Sequence, residues 1–168
     1  MPGGRDIARA LDALRRGWPV RIGDTSFLTV ETADEATLGA FDSAGPASVL
    51  ISGNRAATLK RANQKEGTPT GPVLVERAPW IDLAAATALA DPALDLSTPL
   101  KGPFRTLPAP DAEVAGAALR LARLAGLLPA LFAGGVGEDA VSLSPRAVLE
   151  AALSPRVRIA SRARLPTT

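Results

Sequence analysis

The side chains that could carry chemistry in this sequence are carboxylates, lysines, arginines and hydroxyls. The 168 residues include 17 acidic and 19 basic residues but no histidine, cysteine or tyrosine. Histidine titrates near neutral pH and is the commonest transition-metal ligand, and thiolates are the other main zinc ligands. The sequence therefore argues against a tight zinc, copper or iron site, whereas magnesium held by carboxylates is compatible with it.

Four acidic residues cluster around the first pair of predicted strands: Asp24, Glu31, Asp34 and Glu35. Paired carboxylates can hold magnesium or act as general acid and base. The spacing of these four is loose, however, and Asp34 is equally placed to cap the helix that begins with EATLGAF. We favour the structural interpretation, with magnesium binding or acid–base chemistry as the alternative.

The glycine-rich segment FAGGVGED, residues 132–139, follows a predicted strand, where α/β proteins often bind ligands. The backbone N–H groups of such turns can hold a phosphate. A phosphate loop also needs a Lys-Ser/Thr pair at a helix start, and a dinucleotide fingerprint needs its full glycine spacing. Neither is present, and Glu138 and Asp139 would repel a phosphate. We interpret the segment as a turn between two strands.

The elements that must position these residues alternate between helix and strand. Apolar periodicity and capping signals predict helices at 5–17, 34–45, 53–64, 80–91, 111–126 and 144–153. Short apolar runs predict strands at 19–22, 27–32, 47–52, 72–77, 128–135 and 156–161. Residues 92–110 contain five prolines and are expected to be mostly irregular or extended. This order indicates an α/β or α+β single domain, a mixed sheet with packed helices.

Several residues give local signals for where the elements begin. Asp111 is a predicted N-cap, and Ser144 is a second one, followed by Pro145 at the first helical position. Trp18 and Trp80 both adjoin prolines and are predicted to be packing residues at the starts of elements.

Length and composition indicate how many domains the chain has and where it acts. A chain of 168 residues is long enough for one self-sufficient core, and no apolar run approaches the ~20 residues that a membrane span needs. We see no secretory signal, and the absence of cysteine favours a cytoplasmic location without a membrane partner. Four arginines and no acid follow from residue 156 onward. We interpret this stretch as a solvated basic linker rather than a nucleic-acid interface.

Five segments resemble, in order, those of 3,4-dihydroxy-2-butanone 4-phosphate synthase, an enzyme family of riboflavin biosynthesis. The segments are ALDALRRGWPVRI, SVLISGNRAATLK, GTPTGPVLVE, LKGPFRTLPA and LRLARLAGLLPALFAGG. The resemblance implies a synthase-like domain over residues 1–155, followed by a last strand and a basic linker or tail over 156–168. It also implies a homodimer, because the family's enzymes are dimers.

The departures from that family imply that its magnesium-dependent reaction is lost. The family's acidic loop after the first strand is missing, since RIGDTSF runs straight into the second strand. Pro103 and Val114 stand where the family has histidines, and Ala133 and Gly134 stand where it has Cys-Glu. The comparison therefore implies no catalytic residue, no metal and no cofactor.

The chain looks more similar still to a degenerate synthase-like domain that precedes the zinc domain of some alphaproteobacterial GTP cyclohydrolase II proteins. The segments ALRRGWPV, ALADPALD and LARLAGLLPAL carry this resemblance, and RIASRARLP resembles the connector into the cyclohydrolase module. The cyclohydrolase itself needs three cysteines, which this chain lacks. The implied function is a non-catalytic riboflavin-pathway module that supports a GTP cyclohydrolase II domain or protein by association.

The alternative is a small-molecule binder or residual enzyme that uses the remodelled pocket, with a sugar phosphate or a nucleotide as ligand. The candidate residues lie in or near the segments that form the family's pocket: Asp24, Thr68, Lys101, Arg105 and Glu113.

Overall fold

The computed structural model describes residues 2–63, 71–98, 104–138 and 140–153. The helices are α1 (Pro2–Arg15), α2 (Glu35–Phe41), α3 (Gly53–Asn63), α4 (Leu83–Ala90), α5 (Ala112–Leu124) and α6 (Pro145–Leu153). The strands are β1 (Val20–Ile22), β2 (Thr25–Thr29), β3 (Ser48–Ile51), β4 (Val73–Val75), β5 (Thr106–Pro108), β6 (Ala130–Ala133) and β7 (Val141–Leu143). A 3-10 helix, Pro92–Leu94, follows α4. The predicted strand 156–161 lies outside the described residues.

These strands form one mixed sheet in the order β5-β4-β3-β6-β2-β1-β7. Neighbouring strands are antiparallel, except that β1 and β7 are parallel. β6 lies at the centre, where Leu131 pairs with Leu50 of β3 on one side and Thr29 of β2 on the other. The mixed sheet with packed helices confirms the fold class predicted from the sequence.

Helices cover both faces of the sheet. α1, α5 and α6 pack on one face in a core that includes Leu14 and Leu131. α2, α3 and α4 pack on the other face in a core that includes Leu28 and Phe132. Because successive side chains of a strand point to opposite faces, β6 contributes to both cores. All four residues of β6 are buried, which explains why its sequence is continuously apolar rather than alternating.

The two predicted N-caps, Asp111 and Ser144, are confirmed. The Asp111 carboxylate accepts hydrogen bonds from the backbone N–H groups of Glu113 (3.1 Å) and Val114 (3.0 Å). α6 begins at Pro145, and the Ser144 hydroxyl accepts a hydrogen bond from the backbone N–H of Ala147 at 3.2 Å. These side chains satisfy N–H groups that have no partner within the helix.

Residues 92–110 hold more regular structure than the sequence predicted. Besides the 3-10 helix, they include β5, which pairs with β4 from Val73↔Pro108 to Val75↔Thr106. A proline is tolerated there because β5 lies at the edge of the sheet, where one side of the strand needs no hydrogen-bond donor.

The prediction that Trp18 and Trp80 are packing residues is wrong. Their side chains are 54% and 50% exposed. Both lie in connections rather than inside the layers, so they remain exposed. The Arg16 guanidinium lies over the Trp18 ring, 5.6 Å from its centroid, and covers part of it.

Asp34 begins α2 with a reciprocal capping pair. Its carboxylate accepts a hydrogen bond from the backbone N–H of Thr37 at 2.7 Å, and its own N–H donates to the Thr37 hydroxyl at 3.0 Å. The bond from the Thr37 backbone, followed by the Thr37 side chain, lowers the pKa of Asp34. Asp34 therefore caps α2, as the structural interpretation of this residue predicted.

We expect the stability that the charged Asp34 cap contributes to disappear on acidification. A lowered folded-state pKa means that this contribution is present above the unfolded-state pKa of about 3.9 and is lost as pH falls through the folded-state pKa. The advantage of the wild type over Asp34→Asn, measured by urea unfolding, should therefore shrink toward low pH. Glu35→Gln, at the next position, is the control. A wild-type advantage that is independent of pH would contradict this account.

Candidate functional site

The loop after β6 contains the glycines of FAGGVGED, the segment considered for phosphate binding. It begins at Gly134, whose φ of 89° suits glycine. At Gly135 an added Cβ would overlap the ring of Phe41 and lie 2.5 Å from the Phe41 carbonyl oxygen. The Val136 N–H donates to that same carbonyl oxygen at 2.8 Å. The space beside this loop is therefore filled by the end of α2.

A second close approach lies two residues further along the loop. A Cβ at Gly137 would lie 2.9 Å from the Ser26 hydroxyl oxygen, and Gly137 is buried. Ser26 is one of two buried polar residues among those described. The glycines at 135 and 137 are thus required by contacts within the protein, and their presence needs no ligand to explain it.

The connection from this loop confirms the interpretation of FAGGVGED as a turn between strands. The next element is β7, which begins at Val141, whereas a phosphate loop leads into a helix. The two strands are not neighbours, because β2 and β1 lie between them.

Two of the predicted pocket residues lie on neighbouring parts of the fold. Asp24 follows Gly23 in the turn between β1 and β2, and Glu113 lies in the first turn of α5. A Cβ at Gly23 would lie 3.4 Å from a methyl carbon of Val114, so the turn packs against the start of this helix. Asp24 and Glu113 are both exposed and both negative. Together they would attract a cation or hydroxyl groups rather than a phosphate.

Arg105 lies elsewhere in the sheet. It directly precedes β5, and four strands separate β5 from β1, which places the strand centres roughly 24 Å apart. Its guanidinium is 3.8 Å from the Glu76 carboxylate, and both side chains are largely exposed. The remaining predicted pocket residues, Thr68 and Lys101, lie outside the described residues.

The acidic residues that could have formed a magnesium site are separated by the length of β2. Asp24 precedes this strand, and Glu31 follows it. Glu31 accepts a hydrogen bond from the backbone N–H of Leu128 at 2.6 Å, which ties the end of β2 to the approach to β6. Within the described residues, no three acidic side chains come together in a metal-binding group.

Arg55 is a partly buried arginine that sequence reasoning missed. It forms two hydrogen bonds with the Asp95 carboxylate, at 2.7 and 2.8 Å. It also donates to the backbone carbonyls of Leu89 (2.7 Å) and Ala88 (3.3 Å) at the end of α4. Arg55 therefore joins α3 to the end of α4 and to the segment beyond it.

Arg77 has a similar role at the end of β4. It donates to the Asp42 carboxylate at 2.7 Å and to the Ile81 carbonyl at 3.2 Å, and it lies 5.3 Å from the centre of the Phe132 ring. Asp42 also accepts the backbone N–H of Ala47 at 2.9 Å. No local pattern in the sequence signals these partners, because Asp42 and Asp95 are 35 and 40 residues away from their arginines.

The fold defines the class of protein: an α/β chain with a seven-stranded mixed sheet between two helical layers, in which the loop beyond the central strand packs on the end of α2. No family model and no curated protein matches the chain. No helix among those described is both long and apolar enough to cross a membrane. The resemblance to the synthase family stays a prediction.

We expect Gly135→Ala to destabilise the protein by about 2–3 kcal/mol, because the added methyl group overlaps both the ring and the backbone of Phe41. Gly39→Ala is the matched control, since Gly39 lies in α2 with nothing within 4 Å of an added Cβ. It should leave stability unchanged or raise it by up to about 1 kcal/mol. Urea unfolding of both variants makes the comparison. Equal stabilities would show that the loop does not pack on Phe41 as described.

Proposed function

We propose that this chain acts by association rather than by chemistry of its own, as a riboflavin-pathway module that supports a GTP cyclohydrolase II domain or protein. The observation that carries the proposal is the packing of Gly135 on Phe41. In the resemblance to the synthase family, the residues after this strand belong to the reactive centre. Here the same place is occupied by the protein's own aromatic side chain.

The remaining polar groups also support a role without chemistry. Arg55 and Arg77 have side chains only 10% and 11% exposed, and each is engaged by a carboxylate and by backbone carbonyls. Among the described residues, no buried side-chain nitrogen or oxygen atom lacks a hydrogen-bond partner. Reactive groups are often the exceptions to such satisfaction. Arg55 joins α3 to the end of α4, and Arg77 joins the end of β4 to the end of α2.

The synthase-like fold is part of the same proposal. The described parts of the five similar segments fall on successive pieces of the architecture: α1 with β1, β3 with α3, β4, β5, and α5 with β6. In the last of these, α5 ends near Gly126, whose φ is 78°, before the chain enters the central strand. The order of helices and strands in the first three and the last of these segments supports the proposal, whereas the resemblance assigned no strand to the fourth.

The proposal predicts that the full chain binds a GTP cyclohydrolase II domain and has no synthase activity. Binding is measured by isothermal titration with the purified cyclohydrolase domain. Activity is measured with ribulose 5-phosphate and magnesium, with an authentic synthase as the positive control. Turnover of ribulose 5-phosphate by this chain would overturn the proposal, as would failure of the folded chain to bind the cyclohydrolase domain.

A second candidate function is binding of a small molecule, and the contact between Gly23 and Val114 favours it. This contact brings the turn of Asp24 to the helix start of Glu113 and leaves both carboxylates in solvent. A ligand at a hundred times its dissociation constant stabilises the folded state by about 2.7 kcal/mol, which thermal unfolding detects. Sugar phosphates and nucleotides are the probes, and their hydroxyl groups are the part that the two carboxylates would bind. Stabilisation that Asp24→Asn and Glu113→Gln abolish would favour this function, and its absence would rule out these probes as ligands at this site.

A further inference from the structure

Three exposed arginines lie in a row along the solvent side of α1. Arg5, Arg9 and Arg16 are four and seven residues apart, a spacing that puts side chains on one side of a helix. At about 1.5 Å per residue, Arg5 and Arg9 are about 6 Å apart along the helix axis, and Arg9 and Arg16 about 10 Å. The other side of α1 carries Ile7 and Leu14, which are buried in the core. We call Arg5, Arg9 and Arg16 the arginine stripe.

Most of the positive charge of the arginine stripe is uncompensated. Arg16 continues the helix just beyond α1, because its N–H donates to the Asp12 carbonyl at 3.1 Å, and its guanidinium pairs with the Asp12 carboxylate at 2.8 Å. Arg5 and Arg9 are exposed, and neither forms an ion pair within the part of the chain that the structure describes. Asp6, the other acidic residue of α1, is only partly exposed. The surface therefore attracts anions.

A half-exposed tryptophan lies at the end of the arginine stripe. The Arg16 guanidinium is 5.6 Å from the centroid of the Trp18 ring, and Trp18 is 54% exposed. The chain turns at Gly17, whose φ is 74°, and the Trp18 N–H donates to the Ala13 carbonyl at 2.9 Å. An added Cβ at Gly17 would overlap the Thr32 carbonyl oxygen, so the turn is packed against the segment after β2. The Trp18 ring is thus presented from an ordered backbone, which lowers the entropy cost of binding.

We propose that the arginine stripe and Trp18 bind single-stranded nucleic acid. The arginines bind successive phosphates of the strand, and one unpaired base stacks on the exposed part of the Trp18 ring. A positively charged path with an aromatic side chain beside it is the usual means of binding a single strand without sequence preference. This proposal goes beyond the association with a cyclohydrolase and does not depend on it.

Trp18 favours a single strand over other anionic partners. The bases of a duplex are paired and stacked on one another, so a duplex offers the ring no free base. An acidic peptide segment can pair with the arginines, but its carboxylates do not stack on an aromatic ring. A single strand alone among these partners uses both the charge of the arginine stripe and the exposed ring.

The first test measures binding of a fluorescein-labelled oligothymidylate strand to the full chain by fluorescence anisotropy at several salt concentrations. Each neutralised phosphate of a single strand contributes about 0.7 to the slope of log K against log[salt]. Arg5→Gln and Arg9→Gln should each weaken binding and reduce this slope by about 0.7. Arg21→Gln is the matched control and should leave the slope unchanged. Arg21 is exposed on the opposite face of the sheet, because its neighbours Val20 and Ile22 point into the core beneath α1.

The second test separates stacking from charge. Trp18→Ala should weaken binding of the same strand by roughly tenfold and leave the salt slope unchanged, because a stacked base releases no counterion. Trp80→Ala is the matched control, since Trp80 is 50% exposed but lies in the connection between β4 and α4. It should not change the affinity. Circular dichroism confirms that each variant is folded.

Several results would overturn the proposal. One is the absence of binding at low salt. Another is binding that the α1 variants leave unchanged, which would place it elsewhere, for instance at the four arginines from residue 156 onward. Equal affinity for a duplex of the same length, or equally strong binding of polyglutamate, would also contradict it, because neither offers an unpaired base to Trp18. None of these results affects binding of the cyclohydrolase domain, so the two proposals fail separately.

Discussion

Burial of β6 on both faces is the constraint on which the rest of the structure depends. A strand whose every residue is buried needs a paired strand on each side and a helical layer above and below. β2 and β3 provide the strands, and the two groups of three helices provide the layers. The short side chains of Ala130 and Ala133 at the ends of β6 make close packing necessary, because voids in such a core cost stability.

The same close packing determines whether the loop at the end of β6 has room for a ligand. Because Phe41 of α2 fills the space beside Gly135, the loop beyond the central strand is held by contacts within the protein. Arg77 lies against Phe132 of β6 and binds Asp42, the residue after Phe41, so one charged group joins the central strand to the end of α2. A charge that is satisfied in this way contributes to the architecture, and it is not free to bind a phosphate.

Much of the architecture could be predicted from the sequence, because its signals are local. Helix starts at Asp111 and Pro145 follow from capping chemistry, and the central strand follows from an apolar run between a glycine stop and a glycine turn. β5 was missed because three residues that end in proline carry little strand signal. The order of strands could not be predicted either, since contacts between residues distant in sequence determine it.

The candidate site was predictable only in part, for the same physical reason. The turn of Asp24 and the helix start of Glu113 are neighbours. Arg105, by contrast, lies beside β5, which four strands separate from β1, and sequence order does not reveal this distance. The partners of Arg55 and Arg77 are likewise tens of residues away. Trp18 and Trp80 show the converse error, because their places beside prolines at the starts of elements predict packing, yet they are 54% and 50% exposed.

The central claim is that the loop after β6 is closed by the protein's own side chains. The most direct test is amide NMR of the ¹⁵N-labelled chain during titration with ribulose 5-phosphate and magnesium. The account predicts that the amide signals of residues 134–137 do not shift and that the Val136 N–H, bonded to the Phe41 carbonyl, exchanges slowly with solvent. Saturable shifts of these amides, with fast exchange at Val136, would show an open ligand site and contradict the account.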